Sequence, residues 1–125
     1  MAYSDFRDLK VYQKSVEQAD KIFEISFSFP IDEKYSLIDQ IRRSSRSICA
    51  NFAEAYSKRA FPKHFYSKMT DCIGENNETL VWIDFSFKCK YIEKDIYHNL
   101  YELNREIAKL LTFMINNPNK FGVNQ

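Results

Sequence analysis

The sequence predicts an all-α protein, an antiparallel up-down-up-down four-helix bundle forming one domain over residues 1–125. Three observations lead there. Prolines at 30, 62 and 118 cut the chain into segments too long to be strands. Each segment repeats apolar residues at spacings of three and four, the period of a helix with one buried face. No stretch shows strand-type alternation, internal repetition or low complexity.

The first helix is expected over about 8–28, with Leu9, Tyr12, Val16, Ala19 and Phe23 as its core stripe. Pro30 stops it, because the residue before a proline is pushed out of the helical region. The second, about 33–59, repeats the pattern at Ile41, Ser45, Ile48, Phe52 and Ala55. Pro62 suits the first turn of the third, 62–89, where its missing N–H costs nothing. The stripe there reads Phe65, Met69, Cys72, Asn76, Leu80, Ile83 and Phe87. After a break near Lys90-Tyr91 comes the fourth, 93–116, with Ile96, Leu100, Leu103, Ile107, Leu110 and Met114. Asn116-Asn117-Pro118 ends it, and 117–125 reads as a flexible tail. Helices of this length span roughly 30 to 40 Å each and, joined by short loops, pack as antiparallel neighbours.

Composition bounds the function. A chain of 125 residues, 45% apolar, supports one core and argues against disorder. Its net charge of +1 is too low for a generally basic nucleic-acid binder, so any such role rests on a local patch. Cys49, Cys72 and Cys89 are odd in number, widely spaced and free of any CxxC, as expected of reduced thiols. The start, MAYSDFRDLK, lacks an apolar signal region, and the longest apolar run is Leu80-Val81-Trp82-Ile83. The expectation is a soluble, cytoplasmic protein with no membrane partner.

QIRRSSRSICANFAEA, residues 40–55, has three faces rather than two. At 100° per residue the core side holds Ile41, Ser45, Ile48, Phe52 and Ala55. One flank gathers Arg42, Arg46, Cys49 and Ala53; the other gathers Gln40, Arg43, Ser47, Asn51, Glu54 and Lys58. Small residues cover much of the rest, where Lys and Glu would ordinarily face solvent. The third helix sets Lys68, Asp71, Glu75, Glu78, Thr79 and Trp82 away from its core stripe, a tryptophan beside carboxylates on an outward face. The reading is a helix contacted by its own bundle and by a neighbouring subunit. The interface would use Gln40, Arg42, Arg43, Arg46, Ser47, Asn51, Glu54, Glu75, Glu78 and Trp82, with Glu75 and Glu78 free to meet Arg42, Arg43 or Arg46.

Those same residues carry a likeness. FRDLKVYQKSVE, QIRRSSRSICANFAEA and FYSKMTDCIGENNETLVWI resemble the 23S rRNA intervening-sequence protein family, over about residues 5–116. Gln40, Ile41, Arg42, Arg43, Ser47, Ile48, Asn51, Ala53 and Glu54 match its second-helix pattern; Glu75, Glu78, Thr79 and Trp82 match the third helix of one branch. Ala55 stands where the family has Gly, and Arg59-Ala60-Phe61-Pro62 lacks the Ser or Thr cap it often places before the third helix. The resemblance implies an up-down bundle assembled as a ring-like homopentamer, and it brings the suggestion of RNA binding.

Chemistry finds little support. Di-iron bundles need Glu-x-x-His motifs on two helices; His64 follows Phe61 at that spacing and His98 follows Asp95, a lone weak match, so no metal is expected. No glycine-rich phosphate loop exists, and no cofactor or enzymatic activity is expected. Arg42 and Arg46 lie near enough to lower the Cys49 pKa, though packing is the plainer role for that thiol. Between Ser36 and Arg59, five cations stand against two acids. Lys58, Arg59 and Lys63, near the turn into the third helix, are the candidates for phosphate contact with RNA, the alternative to an oligomeric assembly or adaptor role.

Overall fold

A computed structural model describes residues 5–124. Four helices, α1 (Lys10–Ser26), α2 (Leu37–Ser57), α3 (Pro62–Lys88) and α4 (Lys94–Asn116), are joined by short turns and accompanied by 3-10 segments at Phe6–Asp8, Ile31–Glu33 and Pro118–Phe121. Each helix packs on its neighbours in the chain and α1 packs on α4, while the diagonal pairs make no comparable contact. That is the up-down-up-down bundle, and among the described residues it contains no strand. The α2–α3 packing is the most extensive.

The turns have local causes. Pro62 opens α3 as its first helical residue, and no side chain caps that end, in keeping with the missing Ser or Thr. The α2 helix runs unbroken past Ala55, where glycine would have eased a bend. Its N-terminus is held by Glu33, whose carboxylate accepts from Ser36 Oγ and from the Leu37 N–H (3.4 Å). Tyr91 Oη donates to the same carboxylate at 2.9 Å, tying the α1–α2 turn to the α3–α4 turn. These bonds, Ser36 foremost, hold the Glu33 pKa below the usual carboxylate range. At the end of α3, Lys90 adopts φ 65°, and the N–H groups of Lys90 and Tyr91 reach back to Phe87 O and Ser86 O. This is a Schellman cap with lysine in the left-handed place that glycine fills most easily.

The core departs from the expected stripes at definite points. In α1 the buried set is Val11, Ser15, Gln18, Ala19, Ile22 and Ser26, while Tyr12, Val16 and Phe23 lie half-buried on the side toward α2. Three of the six buried residues are polar, so a search for apolar periodicity slides one position onto the aromatic flank. In α3, Thr79 and Ser86 are buried where Leu80 and Phe87 were expected, and Phe87 is 39% exposed. Thr79 leaves the outward face altogether: its hydroxyl lies 2.9 Å from Ser44 Oγ in the α2–α3 contact. In α4, Asn104 and Leu111 are buried and Leu110 only partly.

Two apolar clusters fill the bundle. One surrounds Ile48, Phe52, Phe65, Met69, Ile107 and Leu111; the other surrounds Ile22, Leu37, Ile41, Ile83 and Leu100. Between them lies a polar layer from three helices. Asn104 Nδ2 donates to Gln18 Oε1 and to the Asn76 carbonyl, both at 2.9 Å, and Asn76 Nδ2 returns a bond to the Asn104 carbonyl at 3.0 Å. Gln18 Nε2 donates to Asn76 Oδ1 at 3.3 Å. The Arg105 guanidinium closes the layer from the surface, donating to Asn104 Oδ1 (2.7 Å) and Asn77 Oδ1 (3.1 Å). No buried side-chain nitrogen or oxygen among the described residues lacks a partner, which is what makes such a layer tolerable in a core.

The tail corrects its expectation. Described to Asn124, it forms the Pro118–Phe121 turn and buries Val123 in the larger cluster. Arg59 holds it there, donating to Phe121 O at 3.1 Å and to Tyr56 O at 2.8 Å, with its guanidinium 3.6 Å from the Tyr56 ring centre. Gly122 stands at φ 82°, and a Cβ there would lie 3.0 Å from an Arg59 nitrogen. The left-handed conformation favours glycine there, and a side chain would also push the end of Arg59 aside by a few tenths of an ångström.

Candidate functional site

The two flanks of α2 do different things. On the α3 side, Arg43 donates to Glu75 at 3.3 Å and to Glu78. Gln40 Oε1 accepts from Arg43 Nε (3.3 Å), and Ser47 Oγ donates to the Arg43 carbonyl at 2.8 Å. Trp82 Nε1 donates to Glu78 Oε2 at 3.2 Å, so the indole N–H belongs to the same network. One to two turns along, Lys68 bridges Glu54 (2.8 Å) and Asp71 (3.8 Å). The hydrogen bond from Lys68 draws the Glu54 pKa down, and the one to Glu54 raises that of Lys68. Asn51 lines an open hollow with Thr70, Asp71, Gly74, Glu75 and Glu78. Most of the expected interface residues thus share one face.

Arg42 and Arg46 do not. They turn to α1, where the Arg42 guanidinium lies 4.7 Å from the ring centres of both Phe23 and Phe27, and that of Arg46 lies 4.9 Å from Phe23. Arg42 Nε also donates to Ser26 Oγ at 2.8 Å. Of the three arginines that could meet Glu75 or Glu78, within or between subunits, Arg43 does so within the chain. The 100° step between neighbours carries Arg42 round to the α1 side of the helix.

Sequence reasoning missed Val81 and Phe85. Trp82 is half-buried against the smaller cluster, whereas Val81 and Phe85 beside it stand 46% and 45% exposed. The signal was present in Leu80-Val81-Trp82-Ile83. Four consecutive apolar residues sweep most of the way round a helix, so one must point outward.

Cys49 takes the packing role, without the lowered pKa that Arg42 and Arg46 could have given it. The arginines that might lower its pKa are drawn to the phenylalanines, and burial pushes the thiol up to about 11. Cys72 is pushed up to about 12, again chiefly by burial. Both are inert neutral thiols at neutral pH, and exposed Cys89 should be alkylated first under native conditions. The folded chain holds the Cys49 proton more tightly than the ordinary value of 9.0, so this contribution is complete below pH 9 and is lost as pH rises through 11. Urea midpoints measured from pH 8 to 11 should therefore fall more steeply for the parent chain than for Cys49→Ala.

The candidate phosphate contacts are divided. Arg59 is engaged with the tail and Tyr56, Lys58 is half-buried, and Lys63 is exposed. Between them Phe61 is 61% exposed, its ring edge-on to exposed His64. His98 is exposed as well, and the described residues hold no group of three His, Cys, Asp or Glu side chains able to bind a metal. No described helix is long and apolar enough to cross a membrane.

Comparison with known proteins agrees with this architecture. A comparison with curated proteins gives no match. A crystal structure of a protein of unknown function from the S23 ribosomal protein family of Bacteroides thetaiotaomicron is similar in fold, with a TM-score of 0.76 and 31% sequence identity over 85% of this chain and 95% of that one. The family model of the 23S rRNA-intervening sequence protein matches residues 7–113, nearly the whole bundle, and the chain belongs to that family.

Proposed function

We propose that this protein is a non-catalytic homo-oligomeric bundle, an assembly or adaptor protein whose copies meet through the α2–α3 face. Gly74 carries the reading. It sits in the interior of α3, exposed, and a Cβ added there would meet nothing within 4 Å. A glycine inside a helix costs about 1 kcal/mol relative to alanine, and this chain on its own gains nothing from it. A second helix drawn in close would use the room. Thr70, Val81 and Phe85 fall on the same outward side, and the neighbouring Arg43 network is already satisfied, so it presents an ordered polar rim. The count of five subunits rests on family resemblance.

Native mass spectrometry of the purified chain tests this, together with Gly74→Gln. The variant should raise the isolated subunit's stability by about 0.5 kcal/mol, since glutamine is the better helix former, while shifting mass from oligomer to monomer. A parent chain that stays monomeric at high concentration would refute the reading.

RNA binding is the second reading, favoured by exposed Phe61 between Lys58 and Lys63, a ring for stacking beside cations for phosphate. A fluorescent RNA titrated at two salt concentrations decides it: affinity should fall steeply with salt if phosphates are bound.

A further inference from the structure

The outward side of α4 carries a surface that self-association through the α2–α3 face leaves unused. Arg105, Ala108, Lys109, Thr112, Phe113 and Asn116 line an open groove of about 460 Å³ there. From Arg105 to Asn116 is about 16 Å of helix, three turns. Lys109 and Thr112 are exposed, and Phe113 is 47% exposed. Lys120 of the docked tail stands beside it, with Nζ 5.3 Å from the centre of the Phe113 ring. Ala108 and Thr112 offer methyl groups as a floor, and the cations stand along it.

Among the described residues, Arg105, Lys109 and Lys120 have no carboxylate within ion-pair distance. Arg105 directs its hydrogen bonds to the neutral side chains of Asn104 and Asn77, which leaves its charge uncompensated. The acids nearby are engaged or outnumbered. Glu106 is bridged to Lys10 (3.4 Å) and Lys14 (3.7 Å) on α1. Glu102, one turn before Arg105, lines with Glu17 the α1–α4 hollow that Lys14, Lys21, Arg105 and Lys109 also border. With that hollow included, Lys10, Lys14, Lys21, Arg105, Lys109 and Lys120 stand against Glu17, Glu102 and Glu106, a cationic excess. On α3, Asp71 is turned to Lys68, and Asp84, bonded to Tyr97 Oη, lies about 10 Å along the helix from Asn77. From Ile107 to Gln125 the side chains include Lys109 and Lys120 and no acid.

We propose that this groove docks an acidic amphipathic helix of a partner protein, its apolar stripe seated on Ala108, Thr112 and Phe113 and its carboxylates on Arg105, Lys109 and Lys120. An amphipathic helix fills a groove with apolar residues spaced by three and four, and three turns of it match this length. Carboxylates flanking that stripe meet cations that have no acid of their own. Phosphates would use the cations alone. The methyl floor offers them nothing, and the Phe113 ring already has Phe121 edge-on at 6.1 Å and Lys120 beside it. This partner surface is additional to the self-contact proposed above: it lies on α4, the helix diagonal to α2, outside the α2–α3 face. A chain that meets its own copies on one side and an acidic partner on another is an adaptor in the physical sense.

Fluorescence anisotropy tests this with a labelled synthetic helix of Leu, Ala and Glu, leucine at every third or fourth place and glutamate on both sides of that stripe. Labelled oligothymidylate is the second probe. The parent chain is compared with Lys109→Glu, Thr112→Trp and Lys34→Glu, the last an equal charge reversal in the turn between α1 and α2. All three positions are exposed, and circular dichroism checks that each variant remains helical. The parent should bind the acidic helix saturably and its lysine-for-glutamate counterpart not at all. Lys109→Glu should weaken the acidic helix by at least about fivefold, and Lys34→Glu by less than about twofold. Thr112→Trp fills the groove without changing charge and should weaken it by at least about fivefold as well. Added salt should weaken the parent's binding in the same direction. Absence of saturable binding at millimolar chain, or equal losses in Lys109→Glu and Lys34→Glu, would overturn the docking site. So would an affinity that Thr112→Trp leaves unchanged, since charge alone would then bind the helix, or oligothymidylate held more tightly at the same cations, which would assign the groove to phosphates. The titration reads the groove whatever the mass of the parent chain, so its failure leaves the oligomer reading standing.

Discussion

Phe52→Ala should lower the unfolding free energy by about 3 to 5 kcal/mol, read as a fall in the urea midpoint with little change in slope. Phe52 is fully buried in the larger cluster. Its ring is stacked near Tyr56, with centres 6.2 Å apart, and tilted against Tyr12 at 6.5 Å. Removing it deletes the apolar contact that joins α1 and α2 at that level and leaves a void that three rigid helices cannot close. Aromatic pair terms disappear along with the transfer term, which places the expected cost in the upper part of the range for core truncations. A loss under 1 kcal/mol would mean that this end of the bundle is not packed as described.

Asn104→Leu should cost about 2 to 4 kcal/mol by the same measurement, for a different reason. Leucine has asparagine's branching and heavy-atom count but is bulkier, so crowding adds to the cost. The larger change is in satisfaction. Gln18 Oε1 loses its donor, Asn76 loses a bond to its carbonyl, and Arg105 loses the acceptor that draws it across the layer. Each stranded buried group carries a desolvation penalty that its former hydrogen bond concealed. Replacing Gln18, Asn76 and Asn104 together by leucine should recover most of the stability, because the buried amides go together and Arg105 keeps its bond to Asn77. The triple variant should also broaden its amide NMR spectrum, since the layer that aligns α1, α3 and α4 has gone. Recovery with spectra as sharp as the parent's would show that the layer does not set the register.

The bundle was legible because α4 and α2 carry clean periods: Leu100, Leu103, Ile107 and Met114 lie where their spacing puts them, and so do Ile41, Ile48, Phe52 and Ala55. Helix α1 was read one residue out because its inner face is half polar, and the partners that make Ser15, Gln18 and Ser26 acceptable inside are their own helix carbonyls or side chains far along the chain. Thr79 misled for the same reason, its neighbour Ser44 being 35 positions away. The docked tail depends on Arg59, 62 residues from the carbonyl it holds, and no local pattern announces such a bond. The Arg43 flank, by contrast, could be read: spacing of three and four on two adjacent helices brought Arg43, Glu75, Glu78 and Trp82 into one list, and they do share one network. The sign at Cys49 was not readable, because whether burial or a nearby arginine governs a thiol depends on where the arginine's side chain goes.

The polar layer divides the interior unevenly. Fourteen buried residues fill the end that holds Phe52 and Val123, and seven fill the end that holds Ile22 and Ile83. Backbone amides near the α1–α2 and α3–α4 turns are therefore guarded by about half as much oily mass, and thermal breathing of the molecule concentrates there. The bundle has a firm base and a soft crown, and it is the crown that shows Phe27, Ile31, Tyr35, Val81 and Phe85 to the outside.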